Sequence, residues 1–218
     1  PFLMTTVAPE SVTNAQIATL SSAGILVSLG HSEASFDTAT AAAIAGAGAV
    51  THLFNAMSPL GHREPGLVGA ALHTESLSVG LIADGIHVHP AAISIALAAK
   101  RGPGRIFLVT DAMSTIGTDQ QSFSLNGRTI RREGGKLVLE DGTLAGADLD
   151  MISAVRYMVN TIGVELDEAL RMASLYPAAC LGADTLRGHL KPGAAADMIH
   201  LSEALDIRSV WLRGRPLD

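Results

Sequence analysis

One cysteine in 218 residues, Cys180, cannot form an internal disulfide, a usage expected of a reducing, cytoplasmic setting. Aromatic residues are scarce at 4%, so a core has to be built from Ala, Val, Ile, Leu and Met. That suits helices packed on buried parallel strands. Charged residues make up only 17%, and the net charge of -6 offers no basic footprint for nucleic acid. No apolar run approaches the roughly 20 residues needed to span a bilayer, and no basic segment precedes an apolar one at the start. Neither nucleic acid nor membrane is expected as a partner; small-molecule chemistry is. The chain also opens on Pro1-Phe2-Leu3 without Met, as expected of a piece of something longer.

What is present is a recurrence. Five short apolar, β-branched runs read as buried strands: Phe2–Val7, Ile25–Leu29, Val50–Leu53, Leu77–Ala83 and Ile106–Thr110. Each ends on or near one polar residue, in turn Glu10, His31, His52, His87 and Asp111. Helices are expected between them: Asn14 to Ala23 with Gly24 as a stop, an Ala-rich helix from a Ser35 cap to Gly46 or Gly48, and Pro90 to Lys100. Gly66 to Leu72 is ambiguous between helix and strand. In a barrel of alternating strands and helices, the residue at the carboxyl end of a strand faces the active site. A lone histidine is more often a hydrogen-bonded core residue, but that reading must here cover three strand ends and two carboxylates together.

Past Asp111 the pattern changes. Ser122–Leu125, Arg128–Arg132 and Lys136–Leu139 form an antiparallel meander with Asn126-Gly127 as the hairpin signal. A helix with apolar Met151, Ile152, Val155, Met158 and Val159 follows. Asp167 is placed to cap another, which runs through Leu175 until Pro177 interrupts. Strand patterning resumes from Leu186 and again over Ile207 to Leu212, in strands exposed enough to suggest a separate small β domain.

One carboxylate and two imidazoles, Glu10, His31 and His52, make up the kind of three-ligand set that leaves a fourth position open on Zn²⁺. Asp111 can then serve as general base and acid, and His87 as a donor to a developing oxyanion, which together give metal-assisted hydrolysis. No compact motif such as H-E-x-x-H reinforces the spacing. His87-Val88-His89 has the form of a metal pair, but Pro90 starts a helix at once and puts His89 in a turn. His62, His73, His189 and His200 have no strand-end logic and read as surface or structural. Arg63 suits a phosphate or carboxylate, or else a salt bridge to Glu64. Asn55 and Ala56 are placed to offer backbone N–H groups to an anion.

The runs Ala8-Pro9-Glu10, Gly30-His31-Ser32, Thr51-His-Leu-Phe-Asn-Ala-Met57, Arg63-Glu-Pro-Gly66, Ile82-Ala-Asp-Gly-Ile-His-Val88, Val109-Thr-Asp-Ala-Met113 and Asp141-Gly-Thr-Leu-Ala-Gly146 resemble, in order, the N-acetylglucosamine-6-phosphate deacetylase family of the amidohydrolase superfamily. The likeness extends from about Ala8 to Arg215. It implies an incomplete TIM-like (β/α)8 barrel over residues 1–185, entered at about the third strand, with a β-hairpin insertion near 122–140. Residues 186–218 would be returning strands of a small β-sandwich. The resemblance further implies removal of acetate from N-acetylglucosamine 6-phosphate by a divalent-metal enzyme, Zn²⁺ foremost and Fe²⁺ as the alternative. In that scheme Glu10, His31 and His52 hold the metal, while Asp111 activates water and protonates the leaving amine. His87 contacts the substrate and polarises the amide carbonyl. Asn55, Ala56 and Arg63 bind the phosphate, and Leu144, Ala145 and Gly146 line the sugar. A homodimer is implied too, with the arginine reaching across to the other subunit. Two other readings stay open: an amidohydrolase for a different N-acyl sugar or a cyclic amide, and an inactive piece of a deacetylase.

Overall fold

A computed structural model describes residues 2–217. Strands β1 (Met4–Val7), β2 (Leu26–Leu29), β3 (Ala47–Val50), β4 (Ser78–Ile82) and β5 (Ile106–Val109) form one sheet in sequence order, each parallel to the next. Consecutive parallel neighbours without a crossover make an arc of βα units with every carboxyl end on the same side. The connecting helices are α1 (Asn14–Ser22), α2 (Phe36–Ile44), α3 (Gly66–His73) and α4 (Pro90–Ala99). Local signals set their starts. Thr13 and Gln16 form a capping box on α1, Ser35 caps α2, and Pro90 opens α4 where no N–H is required. Ile17, Leu29, Leu53, Leu67, Leu81, Ile93 and Leu108 are fully buried where sheet and helices meet.

Two boundaries differ from expectation for a physical reason. Strand β3 begins at Ala47, because Gly46 turns the chain with φ +117 directly after α2. Leu53 is therefore not a strand residue, and His52 stands two positions beyond the strand. The ambiguous stretch after Pro65 is helix α3, buried at every residue from Gly66 to Leu72. A helix covered all round shows no periodicity.

Beyond β5, strands β6 (Ser122–Leu125), β7 (Arg128–Glu133), β8 (Lys136–Leu139) and β9 (Leu144–Ala147) form an antiparallel sheet, so the insertion runs past residue 140. Ala147 donates its N–H to the Asp111 carbonyl at 2.9 Å, which ties the end of β9 to the end of β5. Helix α5 (Met151–Tyr157), capped by Asp150, runs on into a π-helical turn over Met158–Ile162 that ends at Gly163. Helices α6 (Leu166–Ala173) and α7 (Leu175–Cys180) follow. Asp167 is not the cap of α6 but lies inside its first turn, behind Glu165. Pro177 does not interrupt, because it falls in the first turn of α7, where its missing N–H has no helical partner to lose.

The tail strands begin at Met198, later than Leu186. They are β10 (Met198–Leu201), β11 (Ile207–Leu212) and β12 (Arg215–Leu217), in one antiparallel sheet. The residues between are turns held by local contacts such as the Arg187–Asp197 pair. No helix among the described residues is long and apolar enough to cross a membrane.

Candidate active site

Three strand-end residues share an uncommon backbone. His31, His52 and Asp111 have φ of 49, 21 and 49, in the left-handed region that residues with a Cβ seldom occupy. Phe54 and Ala56, in the loop after β3, join them at 75 and 48. Such conformations cost on the order of 1–3 kcal/mol each and persist where neighbours over-determine them. Here the neighbours are the sheet itself: Thr51 N–H binds Leu29 O at 2.9 Å, Leu53 N–H binds Gly80 O at 2.8 Å, and Ser32 N–H binds Ala56 O at 3.0 Å.

The result is a meeting of imidazoles. His31 Nε2 and His52 Nε2 lie 2.9 Å apart with the rings edge to face. Two lone pairs at that distance repel unless a proton or a cation lies between them. Burial pushes the His52 ring below the ordinary histidine range, a tendency the nearby Asp111 charge opposes and His31 adds to. A buried ring kept neutral is a ligand in waiting, and its Nδ1 has no partner among the described residues.

Glu10 does not join them. Its Oε2 accepts from the Ser32 hydroxyl at 2.6 Å and its Oε1 from the Glu33 N–H at 3.0 Å. Burial raises this carboxyl, but those bonds outweigh it and leave it below the usual range. Both bonds tie it to the loop after β2. Among the described residues no three His, Cys, Asp or Glu side chains gather as metal donors.

His87 stands apart with a partner that strand-end reasoning passed over. Its Nδ1 lies 2.5 Å from Asp84 Oδ2, and the two side chains are only 4% and 6% exposed. Asp84 Oδ1 accepts the N–H groups of Ile86 and His87. Burial raises the Asp84 carboxyl, and the bonds from His87 and Ile86 more than reverse this. The signal was present, since an aspartate commonly closes a turn onto the N–H groups two and three residues on.

The loop beyond His52 is partly committed to itself. Asn55 N–H binds His52 O at 3.0 Å and its side-chain amide binds Leu53 O at 3.2 Å, so both are engaged within the loop. Ala56 N–H has no partner among the described residues. Arg63 is exposed and forms no ion pair among them. Glu64 is not its partner, because that carboxylate takes the Phe36 and Gly66 N–H groups. Leu144, Ala145 and Gly146 lie on β9, and a Cβ at Gly146 would fall 2.9 Å from Asp111 O. His89 caps α4, His73 packs on Phe36, and His189 binds Asp184 O.

The amidohydrolase family profile matches residues 2–217. The chain belongs to the amidohydrolase family. This amidohydrolase is 44% identical to the N-acetylgalactosamine-6-phosphate deacetylase of Shewanella sp. (strain ANA-3), over 97% of this chain and 53% of that protein. The crystal structure of N-acetylglucosamine-6-phosphate deacetylase from Pasteurella multocida superimposes with a TM-score of 0.94 at 36% identity, over 98% of this chain and 56% of that one. A point mutant of the Mycobacterium smegmatis deacetylase, in complex with N-acetyl-D-glucosamine-6-phosphate, gives 0.90 at 36%, over 98% and 57%. The amidohydrolase thus spans about half the length of these relatives. Its parallel arc is part of a TIM barrel, with the antiparallel sheets as additions, and the resemblance read from the motifs holds.

Proposed function

We propose that the protein carrying this chain removes the acetyl group from an N-acetylhexosamine 6-phosphate, N-acetylglucosamine 6-phosphate first, giving the amino-sugar phosphate and acetate. The observation that carries this is the pair of imidazole nitrogens 2.9 Å apart beside Asp111, each residue on left-handed backbone at a strand end. It sits in a chain similar to deacetylases over 97% of its length.

Glu10, His31 and His52 would hold a divalent cation. Imidazole suits Zn²⁺, and Fe²⁺ takes the same donors. With the Glu10 carboxylate as the third ligand, a fourth position stays open for water. Once bound, the cation supplies Lewis acidity toward the acyl group and lowers the pKa of water. The chain's own groups do the rest. Asp111 takes the proton of the attacking water and hands it to the amine nitrogen as the C–N bond breaks. His87 contacts the acyl group through Nε2. The Ala56 N–H and Arg63 bind the phosphate while Asn55 holds their loop, and Leu144 to Gly146 border the sugar. In a homodimer the exposed Arg63 serves the neighbouring subunit's site. The single Cys180 fits a reducing, cytoplasmic setting.

A second reading takes the galactosamine epimer as the better substrate, favoured by 44% identity to the Shewanella relative against 36% to the two solved structures. Acetate release from both phosphorylated sugars by the purified Zn²⁺-loaded protein tests the two together. Asp111→Asn is expected to lower kcat by about 10²–10⁴-fold. Unchanged turnover in that variant removes Asp111 from the mechanism. Release from neither sugar sinks the reading and leaves a different N-acyl sugar, a cyclic amide or an inactive piece.

A further inference from the structure

The turn between β4 and α4 holds a pair whose consequence for His87 reaches beyond its contact with substrate. Asp84 Oδ1 accepts two backbone N–H groups, from Ile86 at 2.9 Å and His87 at 2.8 Å, while Oδ2 faces His87 Nδ1 at 2.5 Å. Two donors on one oxygen keep the carboxyl ionised, and an ionised carboxylate only accepts. Nδ1 must therefore carry the hydrogen. His87 Nε2 is buried and has no partner among the described residues, so in the neutral ring it is a bare lone pair. The turn is also clamped from outside. A Cβ at Gly85 would lie 2.5 Å from the Tyr157 hydroxyl oxygen, so that ring occupies the space over the turn and leaves Asp84 little freedom to swing away.

We propose that Asp84 is a positioning residue that fixes His87 as its Nδ1–H tautomer, so that Nε2 meets the substrate as an acceptor or, once protonated, as a charged donor, and never as a neutral donor. This rests on the reading of His87 as a substrate contact and narrows it. A developing oxyanion can be served only by the imidazolium, whose charge the Asp84 carboxylate balances across 2.5 Å. The neutral ring can serve only a substrate O–H or N–H. Asp84→Asn reverses the arrangement without removing it. The asparagine oxygen stays under the two backbone N–H groups, its NH₂ turns toward Nδ1, and Nδ1 must then accept, which moves the ring hydrogen to Nε2.

The experiment uses the metal-loaded protein with ¹⁵N-labelled histidine, and His87→Gln identifies the His87 signals by their loss. Wild-type protein is expected to show the Nδ1–H pattern at His87, and Asp84→Asn the Nε2–H pattern. In the same preparations kcat of Asp84→Asn is expected to fall about 10²–10⁴-fold, with KM within about two-fold and bound metal unchanged. Asp84→Glu, which restores an acceptor, should recover part of the loss. A wild-type Nε2–H pattern overturns the proposal, a result that needs no variant to fold. An Asp84→Asn protein with reversed tautomer and full kcat overturns it too, as does one altered in KM alone. If the wild type releases acetate from neither sugar, the functional reading fails and the wild-type spectrum still decides the tautomer.

Discussion

Gly146 leaves Asp111 almost no room to move. A side chain there would meet Asp111 O at 2.9 Å and Met113 Cγ at 2.8 Å, and the first of these is backbone that cannot step aside alone. Gly146→Ala is expected to shift Asp111 from its place beside His52 and lower kcat at least about ten-fold, at an overpacking cost of about 1–3 kcal/mol. Steady-state kinetics beside a urea titration check it, and a stable variant with wild-type kcat would show the contact to be idle. Residues of this kind mark where sequence reasoning stopped. His31, His52 and Asp111 were legible as strand-end residues because a strand buried on both faces is a continuous apolar run, so the ionisable residue just past it marks the carboxyl end. Glu10 met the same rule, but its hydrogen-bond partners Ser32 and Glu33 lie on another loop, a pairing no spacing encodes.

Elements were legible where a local signal and the burial pattern agreed, as in the Ser35 cap of α2, the Asn126-Gly127 hairpin and Pro90 at the start of α4. They were not where tertiary contact decided. Strand β9 lay beyond the hairpin expected near 122–140, yet it pairs with β8 and delivers Ala147 to Asp111. One side chain fastens that arrangement. Arg132 on β7 donates to Asp148 Oδ1 and Thr115 O, each at 2.7 Å, and to Thr118 O at 2.8 Å, so it links the meander to the loop that follows Asp111. Both ion-pair partners are largely covered, at 19% and 14% exposure. Arg132→Met removes one charge and strands the other, which is expected to cost about 3 kcal/mol and to loosen residues 113–121. Denaturant midpoints and hydrogen exchange in that loop measure both effects. Adding Asp148→Asn should recover part of the stability, and a double variant no better than the single one would deny the pair its role.

Over the whole molecule the titrating groups set a direction for stability against pH. Glu10 and Asp84 are held low by hydrogen bonds that outweigh burial, and Glu64, Asp141 and Asp197 by backbone N–H groups. Depressed carboxyls contribute stability that is present above their ordinary values and lost as pH falls through the folded ones. His52, depressed chiefly by burial, acts in the same sense below its ordinary 6.5. Lys100 carries the trend into alkali. Burial lowers its ammonium from 10.5 to about 8 against the pull of Glu75, while its Nζ donates to Thr74 O at 2.7 Å. The folded state therefore resists this charge more than the unfolded state does, and the penalty lifts as pH rises from about 8 to 10.5. Cys180, Tyr157 and Tyr176 are raised, first by burial, and oppose it: their contribution is present below 9.0 for the thiol and 10.0 for the phenols, and is lost above. These opposing losses are common to wild type and Lys100→Met, so the difference between the two isolates the lysine. Urea unfolding of the pair from about pH 7 to about pH 10 should show wild type gaining on the variant steadily above about pH 8. A difference that stays flat with pH would mean that Lys100 keeps its water in the folded state.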